Sequence, residues 1–465
     1  MKRRLRLPAA TLIIIFGICG SSYGQIEDFY FSHWNMGLDA RSTAMGKTGI
    51  ALLSDSFASA LNPAGLTGLK TIEFGLAGSY NHLIQNVGEY GYESRPFGFY
   101  SYLDYSRITR KSFGFSPEFA ALTIPLNIGG RPLVIQASFQ RRVPFSMTTE
   151  SETGFSYRTR YNMLYTEKIR TEGTNGFGRL SVSVAFAPVK ALSLGLTFSR
   201  WSGSVSLPSV RTLSYATENF YGLDAEWDEN HGFNQEFSIS GSSLDAGVII
   251  NLGDRFHMGF LYRLGWNADL EYASTATYSS ELSGESLEGS VSGTAAVGMP
   301  AGFGAGLAFR IIDELMLTID YNRTFWGKSR ITNFSTADAS GYAPEPRAFY
   351  YPALISESTE KQTDSHHFGL GLEYLHGTTI GDFFFRQGFF LESQHLFEDF
   401  GRQKSYWGLT MGPGFRMSHF CFNLAAALTF GNHAYARDMV SNAPQGEREE
   451  KTTLLILRTS LTFRF

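Results

Sequence analysis

Cysteine is almost missing from this chain: there are two in 465 residues, Cys19 and Cys421. If the leader described below is removed, Cys421 stands alone and an internal disulfide is excluded. Long apolar runs are missing as well. Beyond residue 24 no stretch reaches the roughly 18 residues that a spanning helix needs, and a mean hydropathy of −0.12 is too polar for a helical membrane protein. Windows rich in Ala, Glu, Lys and Leu, which build helices, are scarce. Catalytic and ligating patterns are missing too. No nucleophile elbow and no HExxH occurs. Gly46, Lys47 and Thr48 resemble the tail of a phosphate loop, but Arg41 sits where the first glycine belongs. Gly302, Gly304 and Gly306 share one strand parity and open no helix. His366 and His367 are adjacent, so in a strand they point to opposite faces and cannot share a metal. No enzyme activity, metal or cofactor is expected.

The ends of the chain say where it goes. Lys2, Arg3, Arg4 and Arg6 precede an apolar core at 12–19, and Ser22 and Gly24 are small residues placed for a cut before Gln25. This is the pattern of a secretory signal at 1–24. Ile18 is too large for the site before a lipoprotein cysteine, which argues against Cys19 in that role. Removal of the signal leaves 35 basic against 43 acidic residues, a net charge of −8 that argues against nucleic acid as partner. An exported chain without a helical anchor is secreted, periplasmic or an outer-membrane barrel.

What is abundant decides among these. Glycine numbers 49 and Phe with Tyr 63, a mix that suits strands and turns. Leu180, Val182, Val184 and Phe186 alternate with Ser181, Ser183 and Ala185. Leu192, Leu194, Leu196 and Phe198 alternate with Ser193, Gly195, Thr197 and Ser199. Phe422, Leu424, Ala426, Leu428 and Phe430 oppose Cys421, Asn423 and Thr429. At the end, Leu455, Leu457, Leu461, Phe463 and Phe465 share one face, and Arg458, Ser460, Thr462 and Arg464 the other.

A membrane strand needs about 9–11 such residues. Segments at 71–81, 117–127, 132–143, 177–188, 191–202, 243–252, 256–272, 298–311, 315–326, 366–376, 385–396, 407–417, 420–430 and 454–465 give about 14 strands, an even number as expected for a single-chain barrel. Short connections near 128–131, 189–190, 253–255, 312–314, 377–384 and 418–419 alternate with long ones near 82–116, 144–176, 203–242, 273–297, 327–365 and 431–453, with 397–406 intermediate. Long outer loops and short periplasmic turns put both termini in the periplasm. Trp201, Trp266, Trp326 and Trp407 then fall at the outer interface, where an aromatic girdle is expected. A charge facing the lipid midplane costs about 2–4 kcal/mol for Arg or Lys. Asp245, Asp320, Glu373, Arg310, Arg416, Arg458 and Arg464 accordingly fall at lumen parity, mostly as salt bridges, though one Arg could meet a ligand carboxylate.

Ahead of the strands lies the small-residue stretch 37–66, GLDARSTAMGKTGIALLSDSFASALNPAGL. Ile50, Leu53, Phe57 and Leu61 recur at helical spacing, Asp55 and Ser56 can cap a last turn, Pro63 holds Asn62 out of the α region, and Gly65 can supply a positive-φ exit. A barrel of about 14 strands has a bore wide enough to leak. The expected architecture is therefore all-β: a transmembrane antiparallel barrel at 71–465 with a helical N-terminal plug, 25–70, in its lumen. Phe29, Tyr30, Phe31 and Trp34 precede that stretch and either line a pocket beside it or pack it against the wall.

Residues Ala44, Met45, Gly46, Ala51, Asp55, Asn62, Pro63, Ala64, Gly65 and Leu66 match the plug pattern of the outer-membrane hydrophobic-compound and long-chain fatty acid transporters, the FadL/TodX group, which this chain resembles. Met299 and Pro300 followed by GFGAGLAFRIIDELMLTIDYNRTFW, and YRLGWNADLEY at 262–272, resemble family strands. Ser56 and Leu61 depart from the pattern, at positions where an acidic and an aromatic residue are usual.

The resemblance implies passive uptake of a hydrophobic small molecule, a fatty acid or aromatic hydrocarbon. The ligand would be caught by outer loops, held beside the plug and released as the plug shifts, with sideways exit into the membrane known in the family. It also implies outer-membrane lipids as surroundings and the outer-membrane assembly machinery as a partner of the last strand, which ends on Phe465. The alternative is a PorV-like barrel, an accessory subunit of a protein secretion system, which shares the Asn-Pro-Ala pattern.

Overall fold

Inside a bilayer a strand must pair along both edges, because no water is there to satisfy an open one. The computed structural model meets that demand by pairing the first strand with the last. It describes residues 38–53, 55–89, 92–94, 101–103, 106–144, 147–157, 163–220, 223–329, 331–341, 363–397, 403–436 and 447–465. The expected signal peptide and the aromatic run Phe29, Tyr30, Phe31 and Trp34 lie outside these residues.

Among the described residues, after a short helix α1 (Ala40–Ala44) and two 3₁₀ turns (Ala58–Ala60 and Pro63–Gly68), everything is strand and turn apart from one more 3₁₀ turn. In order come β1 (Glu73–Glu89), β2 (Tyr92–Ser94), β3 (Ser101–Leu103), β4 (Ser106–Ile128), β5 (Arg131–Pro144), β6 (Met147–Tyr157) and β7 (Met163–Val189). There follow β8 (Leu192–Phe220), β9 (Leu223–Leu252), β10 (Phe256–Arg263), β11 (Trp266–Ser280), β12 (Ser286–Met299), β13 (Gly302–Ile312) and β14 (Leu315–Thr324). The chain ends with β15 (Ile331–Gly341), β16 (Ser365–Gly377), β17 (Asp382–Phe397), β18 (Gln403–Arg416), β19 (Phe420–Ala436) and β20 (Glu447–Arg464).

Fourteen of them close an antiparallel barrel. Its circuit runs β1, β4, β5, β7, β8, β9, β10, β13, β14, β16, β17, β18, β19, β20 and back to β1, where Glu73 pairs with Arg464 and Gly88 with Glu449. Tight turns gather at one end. Gly129 and Gly130, at φ 61° and 78°, make the two-residue link of β4 to β5, the left-handed pair that a twisted hairpin requires. The Phe465 N–H donates to the Ile72 carbonyl at the same end.

The strands are longer than a membrane requires. β7, β8 and β9 have 27, 29 and 30 residues, and much of what sequence reading takes as long outer loops, at 144–176, 203–242 and 273–297, is paired strand. The physical reason lies in an inversion of polarity along each strand. On β8, Leu194, Leu196 and Phe198 face outward while Ser193, Thr197 and Ser199 are buried inside. Past Trp201 the inward residues become Val205, Leu207 and Leu213, and the outward ones Ser202, Ser204 and Ser206. β9 repeats this in reverse, with Phe233, Phe237 and Ile239 inside opposite Asn234, Glu236 and Ser238, before Leu244 returns to the outside. Below the switch the exterior suits lipid and the interior is polar. Above it, the exterior carries serines and acids and the interior is largely apolar, with Ser209, Arg211 and His231 buried within it.

That inversion corrects the expected girdle. Trp201 and Trp326 are buried in the lumen, and Trp201 stacks on Trp266 with ring centroids 5.4 Å apart. Of the four, Trp407 alone is on the outside, 45% exposed beside Phe430. A second correction concerns continuity. The segments read as single strands across 256–272 and 298–311 are each broken, at Leu264 and Gly265 and at Pro300 and Ala301, and β14 gives way to the 3₁₀ turn Trp326–Lys328 before β15.

Candidate functional site: the plugged lumen

The described part of the plug, 38–69, is packed inside the barrel. Asp39 caps α1 by accepting from the Ser42 N–H, and Ala40 and Ala44 pack on Ala425 of β19. The chain then reverses through Gly46 and Lys47 at φ 67° and 63°. This left-handed pair is why Ile50, Leu53, Phe57 and Leu61 do not lie along one helix: turns and irregular chain carry 45–53 and 55–57. Asp55 Oδ1 accepts from the Phe57 N–H at 3.1 Å, just ahead of the turn Ala58–Ala60, whose own cap position, Phe57, carries no side-chain bond.

The Asn-Pro-Ala-Gly-Leu stretch is at the heart of the packing. Asn62 is extended, at φ −144° and ψ 111°, and accepts from the Ala64 N–H. Its amide nitrogen donates to the Ile50 carbonyl at 2.7 Å and reaches the Val248 and Phe260 carbonyls of neighbouring strands at 3.3 Å. Asn62, Ala64 and Leu66 are at most 1% exposed. Gly65 is not at positive φ. It is needed because a Cβ there would strike the Leu52 carbonyl. Wall glycines follow the same logic: a side chain at Gly195 would strike Pro63 and Ala64, at Gly259 the Ile50 carbonyl, at Gly306 Ile50 itself, and at Gly388 the backbone of Gly46. The alternating glycines of β13 are thus part of the floor against which the plug rests.

Polar latches hold the plug to the wall. One Asp320 carboxylate oxygen accepts from the Gly49 and Ile50 N–H groups at 2.6 and 2.9 Å. The Arg41 guanidinium makes two bonds of 2.8 Å to Glu373, which Arg386 shares at 2.6 Å. Arg458 reaches both Thr43 of the plug and Glu118. Lys47 lies 3.3 Å from Glu392 and 3.7 Å over the Phe390 ring. Burial, opposed by Glu392, brings the Lys47 ammonium down to about 8. Parity reading places Asp320, Glu373 and Arg458 in the lumen, where they are buried, and did not single out Glu118, Arg386 or Glu392. Partner choice was not readable, because the plug residues that meet them are hundreds of positions away.

Above the plug, on the same strands, the lumen turns apolar. On β20, Ile456 and Leu454 succeed Arg458; on β8, Trp201 and Val205 succeed the serines. These residues belong to one contiguous cluster with Phe177, Phe237, Leu270, Val297 and Trp326. Sequence reading missed this gallery because the hairpins that build it were taken as loops. The available signal was their alternation, with apolar residues at the parity that faces inward.

A charged recess separates gallery from plug. Arg142, Arg179, Arg263 and Asp245 line a cavity of about 20 Å³ beneath Trp201 and Trp266, room for about one water. Arg179 pairs with Asp245 at 2.8 Å and grips Gln140, while Arg142 donates to the Ala60 carbonyl of the plug at 2.7 Å. Planar guanidinium forks of this kind suit carboxylate oxygens. His367 is buried on the inner face and His366 lies outside.

No family model and no curated protein matches the chain. Solved structures do. A Pseudomonas aeruginosa FadL homologue is 13% identical with a TM-score of 0.58, over 92% of this chain and 98% of that one. The P. putida toluene transporter TodX is 14% identical with a TM-score of 0.56, over 93% and 99%. The CymD monoaromatic hydrocarbon channel is 16% identical with a TM-score of 0.52, over 92% and 98%. At such identities the likeness is one of architecture: the chain has the barrel fold of these hydrophobic-compound channels.

Proposed function

We propose that this protein is an outer-membrane channel for passive inward passage of hydrophobic small molecules, with both termini in the periplasm and long-chain fatty acids among its ligands. The observation that carries the reading is the inversion of lumen polarity: beyond the polar plug the inward faces of the strands form a contiguous aromatic and aliphatic cluster. An apolar chain gains about 25 cal/mol for each Å² it removes from water, so a gallery of this kind draws it in where a wet pore would not. At the foot of that cluster Arg142, Arg179 and Arg263 outnumber Asp245, an excess of positive charge that would draw the head of an acid toward the plug. Asn62, Pro63, Ala64, Gly65, Leu66, Gly46 and Asp55 shape the plug and act through its fit. Phe29, Tyr30, Phe31 and Trp34 are proposed to line the same path.

Delipidated protein is titrated with a fluorescent long-chain fatty acid, and proteoliposomes are assayed for its uptake. Saturable binding with uptake supports the reading. Absence of both, with secretion components co-purifying, overturns it in favour of the accessory role.

A further inference from the structure

On neighbouring strands β14, β16, β17 and β18 the outward face changes from apolar to polar, and we take these positions as the outer edge of the lipid belt. Phe368 gives way to His366 on β16, Leu391 to Ser393 on β17, and Trp407 to Ser405 on β18. On β14, Tyr321 gives way to Arg323, the register partner of His366. The turn Trp326–Lys328 then buries Trp326 and leaves Lys328 exposed on the outside. Three basic residues thus gather on one stretch of the rim.

Their setting is built. The Phe325 ring holds the Arg323 guanidinium at 5.2 Å and the Lys328 ammonium at 5.7 Å. Phe303 packs against both Phe325 and Tyr321, and the Tyr321 hydroxyl is 2.8 Å from His366 Nδ1. Among the described residues one carboxylate is present. Asp364 accepts from Arg323 Nε and Nη2 at 2.9 and 2.7 Å and from the Gly327 N–H. It takes one edge of a guanidinium that is 42% exposed, and Arg323 Nη1 and Lys328 Nζ meet no acceptor among the described residues. One outward position below Arg323 lie Tyr321 and its register partner Phe368, both exposed, while Phe303 is level with Arg323.

Resting on the outer-membrane reading but not on the uptake reading, we propose that Arg323, Lys328 and His366 seat the phosphate of an outer-leaflet glycolipid, whose acyl chains run down from the Phe303 and Phe325 rings over Tyr321 and Phe368. Guanidinium and ammonium groups at a headgroup boundary, above apolar rings, match a phosphorylated lipid in both charge and depth.

The full chain, purified in a nonionic detergent, is titrated with bisphosphorylated lipid A, with fully dephosphorylated lipid A and with inorganic phosphate, followed by native mass spectrometry. Wild type is expected to hold bisphosphorylated lipid A at least tenfold more tightly than the dephosphorylated form. Arg323→Gln with Lys328→Gln is expected to abolish that preference, and the charge-keeping pair Arg323→Lys with Lys328→Arg to retain most of it. Heat-modifiable gel mobility establishes that each variant is a folded barrel. Equal binding of the two lipid A forms, an unchanged preference in the Gln pair, or inorganic phosphate binding as tightly as lipid A would each overturn the proposal. Fatty-acid uptake measured on the same proteins tests the other reading separately.

Discussion

Replacing Asp320 by alanine should loosen the plug more than any other single truncation in the wall. Its carboxylate is 1% exposed and accepts two plug N–H groups, from Gly49 and Ile50. Hydrogen bonds to a charged group contribute about 1.5–3 kcal/mol each, and a buried N–H left without a partner costs about 1–3 kcal/mol. Against this, alanine relieves the burial of an ionised carboxylate, so we take about 2–4 kcal/mol as the net loss of docking free energy. At about 1.4 kcal/mol per decade, the displaced plug becomes roughly 30- to 1,000-fold more populated. Asp320→Asn, which keeps an acceptor but not the charge, should fall between. Two measurements read this. In planar bilayers the open probability should rise in the order wild type, Asn, Ala. In parallel, Ser59→Cys in a chain lacking the leader and its Cys19 places a thiol in the plug while Cys421 stays buried, and its labelling rate should follow the same order. If the alanine variant is as silent and as slowly labelled as wild type, the latch does not hold the plug.

Lys47 supplies a pH dependence of defined sign. Burial brings its ammonium down from 10.5 to about 8 in the docked plug, whereas a displaced plug in water keeps its proton to the ordinary lysine value. Between those values the displaced form binds more protons, so raising pH through the window favours docking; channel openings should become rarer, Lys47→Met should flatten the profile, and openings that increase with pH would contradict the assignment. The polarity inversion predicts that arginine is tolerated above the switch and not below it. Leu196→Arg faces lipid and should cost the folded barrel about 2–4 kcal/mol near the midplane, while Ser204→Arg on the same strand should stay within about 0.5 kcal/mol; equal losses in urea unfolding of the lipid-embedded protein would mean that the switch is misplaced.

Much of the barrel was legible because a wall one residue thick has to encode both of its faces. Leu194, Leu196 and Phe198 against Ser193, Thr197 and Ser199 give orientation without reference to any other strand. The short turns and the lumen acids were readable for the same reason. The tryptophans were misassigned because the assumption that strands end at the membrane surface made every interfacial Trp an outward one. Trp201 keeps the inward parity of Thr197 and Ser199, which is what its burial reports.

The plug was legible as a unit but not in its form. Gly46 and Lys47 in the left-handed region break a spacing that reads as helix, and nothing local says that a lysine will accept that conformation. Local sequence determined strand, turn, parity and the small residues of 37–66, since each depends on neighbours a few positions away. Which wall groups meet which plug groups, Asp320 with Gly49 and Ile50 or Asn62 with Val248 and Phe260, was decided by closure of the barrel around the segment. These contacts join residues some 200 or more positions apart on average, and only the shape of the closed cylinder brings them to one height.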